Sequence, residues 1–150
     1  YKRLVVGPSR SGTSWAPAVV AHGPNNRTTP LRTLRGRFEW RLPDSAANPY
    51  LVTAGLIAAG LDGIDRGLDP GPDCEDDLFT LPAAELAARG YPTLPRHLGE
   101  ALDALADDAV IGEALGPTLL AQFLGLKRDE IADHARHVSD WEYRRYARTF

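Results

Sequence analysis

The chain has 150 residues, of which 43% are hydrophobic and 25% charged, with a net charge of −3. That is the composition of one modest globular domain or part of a larger one, and it excludes a fully disordered chain and a fibrous repeat. The single cysteine, Cys74, excludes an intrachain disulfide framework and a cysteine-based zinc site, and it fits a reducing compartment. Methionine is absent and the chain opens at Tyr1, so an internal or trimmed start is expected. Charge is uneven. Residues 1–41 hold eight Lys/Arg and one acid, Glu39, a balance of +7, whereas residues 42–150 balance at −10. Such an arginine excess points to an anionic partner, either nucleic acid, a nucleotide phosphate or a carboxylate, because guanidinium binds such groups in a bidentate way. A solvated basic surface is the plain alternative.

In chain order, residues 7–36 are rich in Gly, Pro, Ser, Thr and Arg and read as loops with short strands, Ala18 to His22 and Leu31 to Leu34. Arg37 to Leu42 alternates with period two, so Arg37, Glu39 and Arg41 share one face and Phe38, Trp40 and Leu42 the other. Pro43 removes a ladder donor and ends this strand. Asn48 and Pro49 suit the N-cap and first position of a helix. This helix is predicted to run to about Ile64 and to be buried, because it is apolar almost all round. Gly55 and Gly60 within it suggest close contact with a neighbouring element. Its apolar stretch, about Tyr50 to Leu61, is too short for a membrane span, which needs about 20 residues.

Residues 65–93 are acidic with scattered Pro and Gly and read as a long surface excursion, with a short helix over Ala83 to Ala88. After Pro95 the period turns helical. Leu98, Leu102 and Leu105 share a face that Ile111 and Leu115 continue. Thr118 is the expected cap of a last long helix, in which Leu120, Phe123, Leu124, Lys127, Ile131, His134 and Val138 fall near one stripe. Trp141, Tyr143 and Tyr146 are expected to pack a short final helix. His22 and His97 read as loop histidines without a visible partner. Glu130, His134 and His137 have metal-compatible helical spacing, but the plainer reading is a packed and an exposed histidine. Negative neighbours disfavour a thiolate at Cys74.

The chemistry centres on the face carrying Arg37, Glu39 and Arg41. An exposed ion-pair ladder is one reading, worth about 0–1 kcal/mol. A phosphoryl-transfer site is the other. There one carboxylate shares a divalent cation with phosphate oxygens while arginines offset the anionic charge.

Ordered motifs favour the second reading. Tyr1-Lys2-Arg3-Leu4-Val5 resembles the end of the Asn-Ser-Tyr-Lys-Arg motif of glutamine synthetases. Asn26-Arg27-Thr28 followed by Arg32 is similar to that family's Asn-Arg-Ser loop, and Arg37 to Asp44 resembles its Glu-x-Arg strand. Ala47 to Leu51 with Ala58 to Ile64 resembles the family's buried helix after that strand. Asp77 to Pro82 fits its acidic excursion, and Leu94 to Asp107, Lys127 to Glu130 and Asp140 to Glu142 fit its C-terminal helices. The chain is thereby identified as a member of the family, covering the C-terminal part of its catalytic domain. The implied fold is α+β, with short antiparallel strands followed by helices, and residues 1–150 form a partial domain.

The resemblance implies an ATP-dependent ligase that joins an amine to the γ-carboxylate of glutamate through γ-glutamyl phosphate. Ammonia is the expected acceptor. A polyamine or another amine, or a non-catalytic assembly module, are the alternatives. Implied roles are Glu39 as metal ligand for Mg2+ or Mn2+, Arg3 and Arg41 on glutamate, Arg27, Arg32 and Arg37 on ATP, and Arg27 also as the catalytic arginine at the transferring phosphate. A homo-oligomeric ring in the cytoplasm, with no nucleic-acid or membrane partner, is implied for the full-length protein. One carboxylate cannot hold a multi-metal site, so the 150 residues alone are expected to be inactive. Ser11 to Pro17 resembles a divergent bacterial branch, and the loop between Arg32 and Glu39 is shorter than in the common bacterial form. Phe79 stands where regulated members carry a modified tyrosine. Lacking a hydroxyl, it is expected to show no mass shift when the protein is treated with an active adenylyltransferase.

Overall fold

The computed structural model describes residues 17–147, which divide into two compact units at Arg96 and His97. Three short strands, β1 (His22–Pro24), β2 (Leu31–Leu34) and β3 (Arg37–Trp40), form one sheet in that order. β2 and β3 are an antiparallel hairpin in which Leu34 faces Arg37 and Arg32 faces Glu39. The two residues between them are Arg35 and Gly36, and Gly36 has φ +76°, a value glycine reaches without steric cost.

The sheet is mixed, not wholly antiparallel, because β1 runs parallel to β2. Parallel neighbours ordinarily need a long crossover. Here β1 has only three residues, about 10 Å of strand, and the six residues from Asn25 to Pro30 can return over that distance. The expected strand at Ala18 to His22 is also displaced. Ala18 to Val20 pairs instead with residues 92–94, through Val20 N–H to Pro92 O (2.8 Å) and Leu94 N–H to Ala18 O (3.0 Å), and regular pairing with β2 begins only at His22.

The core of this first unit is small. Val19, Cys74 and Leu78 are buried, and Ala21, Leu81, Leu86 and Tyr91 pack against them. Two of those three come from the acidic 65–93 segment, so that segment is not a surface excursion throughout. Its apolar residues supply the core while its carboxylates face outward. The helix α2 (Ala83–Ala88) lies within it as expected.

Helix α1 (Pro49–Asp65) begins as its sequence dictates, with Asn48 Oδ1 accepting from Tyr50 N–H (2.9 Å) and Leu51 N–H (3.3 Å) and Pro49 in the first turn. Its predicted burial is not observed. None of its residues is buried, and Tyr50, Ile57, Leu61 and Ile64 are more than half exposed. A sheet of three- and four-residue strands has too little area to cover a 17-residue helix. The two face each other across an open apolar groove of about 730 Å³, lined by Leu31, Phe38, Leu56 and Ile64 among others. Among the described residues no other element comes within 4 Å of where a Cβ on Gly60 would sit, so close contact with a neighbouring element does not explain that glycine.

The second unit holds α3 (Leu98–Asp107), α4 (Ala109–Leu115), α5 (Pro117–Arg136) and α6 (Asp140–Tyr146). Leu102 is its buried anchor, and Leu98, Leu105, Ile111, Leu115, Leu120, Phe123, Leu124 and Ile131 are half-buried around it, as the stripe predicts. The stripe stops at Ile131, since His134 and Val138 are exposed. The cap of α5 lies two residues before the expected one. Gly116 (φ +76°) is its N-cap and Pro117 its first residue, a position where the missing N–H costs nothing. α6 opens with a capping box between Ser139 and Glu142. Trp141 and Tyr146 meet edge to face at 6.1 Å, yet with Tyr143 they remain more than half exposed, contrary to the expected packing. Among the described residues no single helix is long and apolar enough to cross a membrane.

One close approach ties β1 to the acidic segment. Cys74 N–H donates to His22 O (2.8 Å), and a Cβ on Gly23 would lie 2.1 Å from Cys74 O. Gly23→Ala is therefore expected to destabilise the full-length protein by about 1–3 kcal/mol, the usual range for forced overpacking. A lowered Tm in calorimetry checks this, and an unchanged Tm would show that the two backbones part freely.

Candidate active site

The strand pairing assembles the site. Because Arg32 on β2 faces Glu39 on β3, and Arg41 follows Glu39 by two residues, all three side chains meet on one face of the sheet. Arg32 Nη1 lies 3.0 Å from Glu39 Oε2, and Arg41 Nη1 lies 2.6 Å from Glu39 Oε1. The carboxylate is thus held between two guanidinium groups. Its side chain is 34% exposed, against 13% for Arg32 and 17% for Arg41. The hydrogen bond from Arg32, followed by that from Arg41, pulls the Glu39 carboxyl below its ordinary range, so it is ionised at neutral pH.

Asn25 extends the cluster. It is the one non-glycine residue with positive φ (49°) among the described residues, a conformation asparagine tolerates better than most. Its Oδ1 accepts from Arg32 Nη2. Asn25 also lines an open polar pocket of about 510 Å³ with Asn26, Arg27, Thr28, Glu75, Asp76 and Asp77. Arg27 is exposed there, so the two predicted phosphate-side arginines border one continuous region through Asn25. Asn26 and Thr28 hold the Arg27 loop to the acidic segment. Asn26 Nδ2 donates to the carbonyls of Cys74 and Asp76 (2.9 Å each), and Leu78 N–H donates to Thr28 Oγ1 (3.2 Å).

The sequence-predicted residues therefore separate into three groups. Arg32, Glu39 and Arg41 come together. Arg27 stands beside them on the adjoining pocket. Arg37 is exposed at the hairpin end of the same strand face, opposite Leu34. Arg3 lies outside the described residues. Trp40 is half-buried on the strand face opposite Glu39. The sequence alone does not single out Asn25. A residue adopting positive φ at a strand end leaves only a weak composition signal, the Asn-Asn pair.

The histidines are better partnered than their sequence context suggested. His22 Nδ1 is 3.0 Å from Asp73 Oδ1, and its Nε2 is 3.1 Å from Pro70 O. His97 Nδ1 accepts from Glu100 N–H (3.2 Å) and caps α3. His134 and His137 are exposed, and no three His, Cys, Asp or Glu residues converge on a common point among the described residues. Those residues consequently do not fit a divalent ion on their own. Glu39 offers at most one ligand, and both its oxygens are held by arginine.

Known proteins match the chain over nearly all of its length. The family model described as glutamine synthetase, catalytic domain, matches residues 1–146. A glutamate–methylamine ligase from Methyloversatilis universalis is 50% identical over 150 residues, covering 100% of this chain and 34% of that protein. A glutamine synthetase from Halobacterium salinarum is 41% identical, covering 100% of this chain and 33% of that protein. The solved structure of a GmaS/ADP complex superposes with a TM-score of 0.83 at 40% identity, over 98% of this chain and 33% of that one. The chain spans about a third of the length of the relatives it matches.

Glu39 separates two cations that otherwise repel. Glu39→Gln in the full-length protein, without added metal or nucleotide, is expected to lower Tm at low salt. The deficit should narrow as salt rises from about 0.01 M to about 1 M and the screening length falls from about 30 Å to about 3 Å. A deficit independent of salt would show that the carboxylate acts through shape and not charge.

Proposed function

The chain belongs to the glutamine synthetase family, and from that premise we propose that the whole protein is an ATP-dependent ligase joining an amine to the γ-carboxylate of glutamate. The reading has two steps. A γ-carboxylate oxygen attacks the terminal phosphorus of ATP, releasing ADP and forming γ-glutamyl phosphate. The amine nitrogen then attacks the acyl carbon, phosphate leaves with the bonding pair, and the nitrogen loses a proton.

The observation that carries this reading is the Arg32–Glu39–Arg41 cluster. It gathers two arginines around one carboxylate, leaving an excess of positive charge on a strand face. Arg32 Nε is buried without a hydrogen-bond acceptor among the described residues. Buried donors are rarely left so, and an anionic oxygen supplied from outside these residues suits it. Arg41, with Arg3, is assigned to the glutamate carboxylate. Arg27 and Arg32 are assigned to the phosphates, with Arg27 nearest the transferring group, and Arg37 to the nucleotide side. Guanidinium groups suit this work because they present paired donors in a plane and stay charged. They offset charge as it builds on the transferring phosphoryl group.

Divalent metal, Mg2+ or Mn2+, enters the reading only where residues beyond these 150 add ligands to Glu39. The same reading carries a homo-oligomeric ring in the cytoplasm, with no nucleic-acid or membrane partner. It also carries inactivity of the 150-residue chain alone, since the described residues bring a single carboxylate to the site.

Two acceptors are supported. Ammonia fits the relatives named glutamine synthetase. Methylamine is favoured by the 50% identity to a glutamate–methylamine ligase.

The test is phosphate release from ATP by the full-length protein with magnesium and glutamate, adding ammonium or methylamine separately. Release that requires glutamate and rises with one amine supports the ligase and names its acceptor. The same assay on the 150 residues alone is expected to give none. Absence of amine-dependent release by the full-length protein across a panel of amines would sink the ligase reading in favour of an assembly module.

A further inference from the structure

The loop that carries Arg27 is fixed from a single side chain. Asn26 Nδ2 donates to Cys74 O and Asp76 O (2.9 Å each), while its Oδ1 accepts from Thr28 N–H (2.9 Å) and Thr28 Oγ1–H (2.7 Å). Both donors and both lone pairs of the carboxamide are used. Thr28 Oγ1 in turn accepts from Leu78 N–H (3.2 Å), and Thr29 Oγ1 donates within the loop to Asn26 O and Leu31 O (2.9 Å each). Thr28 and Thr29 are buried.

Segments about fifty residues apart in sequence are thereby held as one piece on both sides of Arg27. Arg27 itself is exposed and lines the polar pocket beside Glu75, Asp76 and Asp77. A long, exposed arginine among carboxylates has many arrangements open to it. Backbone fixed on each side restricts where its guanidinium can reach.

We propose that Asn26 is a positioning residue for the phosphate side of the site: it locks the Arg27 loop onto the 74–78 segment so that the Arg27 guanidinium meets the phosphate without a loop having to order first. Pre-organisation of this kind strengthens binding by reducing the entropy lost on association. The inference rests on the assignment of Arg27 to nucleotide phosphate. It adds that the acidic segment, far away in sequence, is a structural part of that side of the site.

The experiment uses the full-length protein and ADP with magnesium as the probe, read by titration calorimetry, with steady-state kinetics alongside. Asn26→Asp keeps the size and the oxygen facing Thr28 but replaces the donor with an oxygen against two carbonyls. The ADP dissociation constant is expected to rise about tenfold, the scale of one charge-assisted contact, while KM for glutamate stays within about twofold. Asn26→Asp combined with Arg27→Ala is expected to bind ADP no more weakly than Arg27→Ala alone, because Asn26 acts through Arg27. A general structural role would not give that non-additivity and would move the glutamate KM as well.

Should Asn26→Asp fail to fold, Thr28→Val, which puts a methyl in place of the hydroxyl that links Asn26 to Asp76 and Leu78, is expected to show the same non-additivity with Arg27→Ala. Additive losses overturn the proposal, as does unchanged ADP affinity in Asn26→Asp. An unmodified protein that binds no ADP overturns the phosphate assignment and this proposal together, whereas normal ADP binding with no amine-dependent turnover overturns only the ligase reading.

Discussion

Two arginines can share a face of two adjacent short strands only because a carboxylate stands between them. Arg32 and Arg41 both reach Glu39, one from the neighbouring strand and one from just past the end of Glu39's own strand. Remove the carboxylate and the face becomes a repulsive cluster with its side chains free to turn outward. With it, the guanidinium groups are held mostly buried and aimed, and the positive excess stays localised. The Asn25 carboxamide extends the hold by taking Arg32 Nη2, and it does so from a backbone conformation that asparagine accepts at little cost. A cationic face is thus built from opposed charges, with the carboxylate as the spacer.

The same economy governs the loop before β2. Few residues are buried in the first unit, and two of its buried side chains are threonines. Hydrogen bonds from Asn26, Thr28 and Thr29 do there what packing does in a larger core. Those from Asn26 and Thr28 satisfy the backbone of the acidic segment where it passes the loop, while carboxylates at Glu75, Asp76 and Asp77 face outward and Cys74 and Leu78 face in. Polar groups buried in this way are stable only when all of them are paired, and the Asn26 carboxamide meets that condition completely.

The apolar surfaces carry a different message. Tyr50, Ile57, Leu61 and Ile64 on α1, and Trp141 and Tyr143 on α6, are exposed beyond what these residue types usually show. Curated relatives are about three times the length of this chain. The Arg32–Glu39–Arg41 cluster supplies arginines and one carboxylate, and among the described residues no three His, Cys, Asp or Glu side chains could hold a metal.

By itself the sequence determined the local elements. Period-two alternation placed Arg37, Glu39 and Arg41 on one face, Asn48 with Pro49 set the start of α1, and leucine spacing set the packed stripe of α3 to α5, because each depends on residues a few positions apart. The ordered motifs also placed the chain in its family. Only the tertiary structure decided which groups meet. It set Arg32 against Glu39 through strand register, made the sheet mixed because three-residue β1 needs only a short return, and gave Asn25 and Asn26 their partners. It also left α1 uncovered, since burial depends on what lies opposite and not on how apolar a helix is. Each of these turns on contacts between segments distant in the chain, and no local pattern encodes the register, loop path or neighbour that produces them.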